Sequence, residues 1–234
     1  MALTDNLVSY YKLDGNSNDS VGSNNGVDTN VSYNVSYGKI GQGASVTGTG
    51  KIVTSSNVGI SGQGARTMAG WFNCQTQPSA SEKQAFFGLG TLSNNNWFCM
   101  ALSGDNSKKG QFSIYGTDLF TTSVLTPLTS AGWHFVVIRY SGGALSSSTL
   151  KFSIDNVDYP FASYTGTPNT TNSTMTIGDY NGGSGWQYKG YFDEVGLWSR
   201  ALSSTEVGEL YNGGAGLTYP FTTFNPHFSR RKLL

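Results

Sequence analysis

Short apolar runs recur along the whole chain, separated by segments dense in Gly, Asn and Ser. Within the runs apolar and polar positions alternate, and a period of two marks strands that bury one face. In Leu150-Lys151-Phe152-Ser153-Ile154 the alternation places Leu150, Phe152 and Ile154 inward and Lys151 and Ser153 outward. Asp155-Asn156 follows as a tight turn, since both residues tolerate positive φ. In Trp133-His134-Phe135-Val136-Val137-Ile138-Arg139-Tyr140 both faces are apolar, so this strand is expected to be covered on both sides. Further strands are expected at 7–13, 43–46, 51–54, 67–75, 85–89, 97–102, 111–115, 174–177 and 186–198, with 14–26 a polar loop. In the last of these, Phe192 has one parity and Val195 and Leu197 the other. Both sets reach the core only if a bulge lies at Asp193-Glu194.

One helix breaks the pattern. Ser203-Ser204-Thr205-Glu206 is a capping box, with Leu202 and Val207 placed as a hydrophobic staple. Val207, Leu210 and Tyr211 form its apolar stripe, and Asn212-Gly213-Gly214 ends it. From 222 to 234 neither period continues. Phe224, His227, Phe228, Arg230, Arg231 and Lys232 stand in a segment that reads as an extended tail. The chain is therefore expected to hold one all-β domain, 1–221, a two-sheet antiparallel sandwich with one short C-terminal helix, followed by the tail.

Composition narrows the function. Charged residues are 12% of the chain, with 14 basic and 14 acidic side chains, which argues against nucleic acid and suits a neutral polar partner. No stretch approaches the roughly 20 apolar residues of a membrane span. Met1-Ala2-Leu3-Thr4-Asp5 has no basic or apolar leader character, so synthesis in a cytoplasm is expected. Cys74 and Cys99 read either as a bridge between neighbouring strands or as two buried thiols.

Four segments resemble the laminin-G-like, concanavalin-A-like jelly-roll family, of the kind found in phage and viral structural proteins. They are Leu7-Val8-Ser9-Tyr10-Tyr11-Lys12-Leu13-Asp14, Asp19-Ser20-Val21-Gly22-Ser23-Asn24-Asn25-Gly26, Gly132-Trp133-His134-Phe135-Val136-Val137, and Gly190-Tyr191-Phe192-Asp193-Glu194-Val195 running into Trp198-Ser199-Arg200-Ala201-Leu202-Ser203. Asn156 stands where a turn glycine is usual, and Gly196 where a polar residue is commoner. The resemblance implies a jelly roll and a structural calcium ion between the first loop and the acidic pair of the last strand. Asp14, Asp19, Asp193 and Glu194 are the candidate ligands, hard oxygens of the kind Ca²⁺ takes.

Two functional readings follow. In the first the chain is a non-enzymatic virion structural protein, a decoration or fibre subunit on the particle surface. Its tail, through Phe224, His227, Phe228, Arg230, Arg231 and Lys232, would anchor it to other virion subunits or to further copies of itself. In the second it is an extracellular carbohydrate-binding module. Tyr33, Tyr37, Trp97, Tyr180, Trp186 and Tyr188 lie in or beside polar segments where a ring could stack on a host-surface glycan. Trp186, Tyr180 and Tyr188 are the candidates taken forward. Catalysis is not expected. The jelly-roll glycanases that the chain resembles use a Glu-x-Asp-x-x-Glu run, and the four glutamates here, Glu82, Glu194, Glu206 and Glu209, form none.

Overall fold

Every strand pairing is antiparallel, and one hydrogen-bonded path runs through the computed structural model, which describes residues 1–105, 108–129, 132–180 and 185–221. Phe224, His227, Phe228, Arg230, Arg231 and Lys232 lie outside the described residues. In chain order the strands are β1 (Leu7–Tyr11), β2 (Gly26–Asn34), β3 (Gly43–Thr54), β4 (Arg66–Cys74), β5 (Lys83–Gly90), β6 (Trp97–Ser103) and β7 (Lys109–Ser113). They continue with β8 (Asp118–Val124), β9 (His134–Tyr140), β10 (Leu150–Ile154), β11 (Val157–Asp158), β12 (Met175–Ile177) and β13 (Gly190–Trp198), followed by helix α1 (Ser204–Tyr211). The path is β11-β10-β9-β4-β13-β3-β12-β5-β6-β7-β8, with β1 on β13 and β2 on β3.

β3 turns this path into two sheets. Its first half pairs with β13 through Ala44–Val46, and its second half pairs with β12 through Ile52 and Val53. Between the halves lie Gly48, at φ 58°, and Gly50. The two sheets close on a core where Phe72 of β4 meets Phe86 and Phe87 of β5 at 5.0 and 5.2 Å between ring centroids. Such edge-on pairs add roughly 0.5–1.5 kcal/mol beyond the area they bury.

The doubly covered strand is found. Val136, Ile138 and Tyr140 of β9 enter the core between the sheets, whereas Phe135 and Val137 face the opposite way, into a cluster with Trp71, Trp198, Val207 and Leu210. Helix α1 is thus laid over the outer face of the first sheet. Its capping box is complete, and Arg200 grips Glu206 with both guanidinium nitrogens at 2.9 and 2.7 Å. That pair and the cap pull Glu206 down to about 2.

The expected bulge is present too. Pairing of β13 with β4 shifts between Asp193 and Gly196, and Glu194 adopts φ 51°. Gly196 has a steric reason, because a Cβ there would lie 2.5 Å from the Trp198 ring. Asn156 takes the turn glycine's place at φ 63°, a region asparagine tolerates.

One expectation is corrected and one alternative is resolved. Ser153 faces away from the core but is buried, held by Asp158 and Arg139 at 2.6 and 3.1 Å. β2, β8 and the two-residue β11 are not announced by the pattern. The cysteines are unbridged and lie in different clusters, Cys74 between the sheets and Cys99 on the outer face of the second.

Candidate functional site

The outer face of the second sheet carries small residues at its centre, Ala85 on β5 and Cys99 and Ala101 on β6, with Trp97 at the start of β6. Tyr180 and Trp186 pack over them from the segment that follows β12. The anchor for this segment is backbone: beyond β12 the Gly178 amide donates to Phe86, and the amide of Ala85 donates to the Trp186 carbonyl at 2.7 Å. Trp97 is 3% exposed, whereas Tyr180 and Trp186 are half-buried. The three rings contact one another at 5.2–5.5 Å and are inclined by 52–65°.

Beside this cluster lies an open hollow of about 310 Å³. Trp97, Tyr180, Trp186 and Tyr115 give it aromatic walls, and Ser113 and Asp118, from the β7–β8 hairpin, give it polar ones. The Asp118 carboxylate is exposed, and Ser113, 2% exposed at the floor of the hollow, accepts the Tyr115 amide at 3.3 Å. On Trp186 the Lys83 ammonium lies 5.2 Å from the ring centroid while paired with Asp105. The site can therefore stack an apolar ring face and exchange hydrogen bonds with hydroxyls beside it.

Tyr188 is corrected. It is fully buried, between Phe72, Phe86 and Phe192, because it shares the parity of Phe192 as the chain enters β13. Its ring faces the core and cannot meet a ligand. Tyr37 stacks on Tyr191 at 4.8 Å, and the Tyr33 hydroxyl donates to Asp28. Both stand apart from the hollow. Tyr115, Ser113 and Asp118 were missed by the pattern, since a residue's place on one side of a hairpin shows only once its partner strand is known.

Each of the four candidate calcium ligands is engaged in hydrogen bonds to the protein. Asp19 accepts the amides of Tyr10, Val21 and Asn24. Asp193 accepts those of Lys39, Ile40 and Glu194. Asp14 accepts the Gln42 amide, and Glu194 the Tyr10 hydroxyl at 2.6 Å. Among the described residues no three His, Cys, Asp or Glu side chains converge on one point. Glu194 Oε1 is the one buried carboxylate oxygen among them without a partner, against the 6–8 oxygens Ca²⁺ takes. These acids instead tie loops to strands. Burial pushes Asp193 up to about 8 and Glu194 up to about 7, with hydrogen bonds opposing in each case.

Among the described residues no helix is long and apolar enough to cross a membrane. No curated protein sequence matches the chain. Solved structures do match in shape. Domain 4 of AbnA, a GH43 extracellular arabinanase from Geobacillus stearothermophilus solved with arabinotriose, has a TM-score of 0.67 at 18% identity, over 90% of this chain and 98% of that domain. The binding domain of Paraclostridial Mosquitocidal Protein 1 has a TM-score of 0.65 at 15% identity, over 90% of this chain and 52% of its own. Trypanosoma rangeli sialidase has 0.60 at 15%, over 91% of this chain, which spans about a third of it (34%). At these identities the likeness is one of fold. In sequence, residues 47–208 match the Laminin_G_3 family, and the chain belongs to that concanavalin A-like lectin/glucanases superfamily.

Proposed function

We propose that the chain is a non-enzymatic glycan-binding module whose site is the hollow beside Trp186. The observation that carries this is the juxtaposition of half-buried aromatic faces with a carboxylate and a hydroxyl at one open hollow. Sugars offer an apolar ring face and a fringe of hydroxyls, and such a site answers both. Retaining or inverting hydrolysis needs two carboxyl groups roughly 5–9.5 Å apart, and among the described residues that line the hollow Asp118 is the one carboxylate. The arabinotriose-bound arabinanase domain, which this chain covers almost completely, supports the same reading.

A glycan array probed with the purified chain, repeated with Trp186→Ala, tests it. Binding to one or more glycans that the variant loses is the expected outcome. An empty array, or binding that the variant retains, overturns the assignment. A second reading, display on a virion surface with 222–234 as anchor, rests on the resemblance to modules of phage and viral structural proteins. The mass of the native assembly, with and without those residues, tests that role.

A further inference from the structure

The hollow has three properties beyond its aromatic walls. Its rings are inclined to one another by 52–65°, so they offer no flat platform along which successive sugars could lie. Its volume, about 310 Å³, lies at the low end of the ~300–1,000 Å³ typical of small-ligand clefts. Its charge is negative: Asp118 stands in the wall, and the cations nearby are already matched, Lys83 by Asp105 and Lys51 by Asp179.

From these we infer that the site takes the uncharged end of a glycan, one or two neutral sugar units, and discriminates against acidic sugars. This rests on the glycan-binding reading and specifies it. The inclined rings allow a single sugar face to lie against Trp186, while its hydroxyls reach Asp118 and Ser113. A longer chain gains nothing, because the next units leave the hollow. A sialic or uronic carboxylate would approach Asp118 with the neighbouring cations among the described residues already paired, a like-charge contact that specific sites use for rejection. The same field is felt underneath: the Cys99 thiol is raised by burial and then by Asp179 and Asp118.

Calorimetric titration of the full chain checks the inference. Neutral arabino- and gluco-oligosaccharides of increasing length form one series; sialyllactose and oligogalacturonides form the other. Affinity for the neutral series is expected to level off by the second unit, with the acidic series at least tenfold weaker and Asp118→Asn narrowing that gap. Acidic sugars binding as well as neutral ones through Trp186, or affinity rising with each unit past the third, would overturn the inference and leave the binding site standing. If neither series binds and the array is empty, the glycan-binding reading itself fails.

Discussion

Trp186 rests against Trp97, ring centroids 5.2 Å apart and planes at 58°, so a buried indole at the start of β6 fixes the position of a half-exposed one. The two rings therefore have separable roles. Trp186→Ala is expected to weaken glycan binding about tenfold or more, some 1.4 kcal/mol or above, while stability changes by about 1 kcal/mol or less. Trp97→Ala removes a buried indole, and roughly 3–5 kcal/mol of stability should go with it. Urea denaturation alongside titration distinguishes them; equal destabilisation by both would contradict the division.

Tyr188 gives a prediction of opposite sign. Its hydroxyl is buried without a hydrogen-bond partner, and an unmet buried polar group costs about 1–3 kcal/mol. Tyr188→Phe keeps the ring among Phe72, Phe86 and Phe192 and is expected to hold or raise the melting temperature, with glycan binding unchanged. A clear fall in stability would show that the hydroxyl has a partner.

Legibility in the sequence followed the range of each signal. The capping box at Ser203 and Glu206, the Asp155-Asn156 turn and the bulge at Asp193-Glu194 all arise from residues a few positions apart, and all could be read directly. β2 could not, because Gly26–Asn34 is mostly exposed and polar and alternates only at Val31 and Tyr33, which pack half-buried against the core. The aromatic candidates divided for the same reason. Trp186 and Tyr188 share a parity and both precede β13, but Trp186 packs on the outer face of the second sheet while Tyr188 points into the core. Asp118 joined the site only through the β7–β8 hairpin, which no local pattern announces.

The acidic residues first assigned to calcium make a distinct prediction. Since the oxygens of Asp19 and Asp193 already accept backbone amides, chelator should leave the melting temperature unchanged. Asp19→Ala should destabilise by several kcal/mol with or without calcium, because it strands three amides. A melting temperature that rises on adding calcium would show that these acids also bind the ion.

At the helix, Arg200 holds Glu206 and also donates to the carbonyls of Ala2 and Asp5. Removing one partner of a buried pair leaves the other uncompensated, at about 3–5 kcal/mol. Arg200→Ala is expected to cost near the lower figure, and Arg200→Lys to recover only part, since an ammonium cannot form the two-pronged contact. Full recovery by lysine would reduce the pair to simple charge attraction.

The buried pair at the β13 bulge should make stability depend on pH in a particular direction. Asp193 and Glu194 are raised from ordinary values of 3.8 and 4.5 to about 8 and about 7. The folded chain therefore holds protons that the unfolded chain has released, and stability falls with rising pH wherever the native state binds more protons. Their contribution is fully present below about pH 4 and is lost as pH climbs to about 8. Glu206, held near 2 by Arg200, acts with the opposite sign but only below about pH 4.5. Urea midpoints at pH 5, 7 and 9 should thus decline in the parent chain. Glu194→Gln keeps an acceptor for Tyr10 and removes the charge that raises Asp193, so it should flatten the decline and gain most at pH 9. A parent midpoint that instead rises from pH 5 to pH 9, with Glu194→Gln parallel to it, would mean both carboxylates are ionised in the fold and well satisfied there.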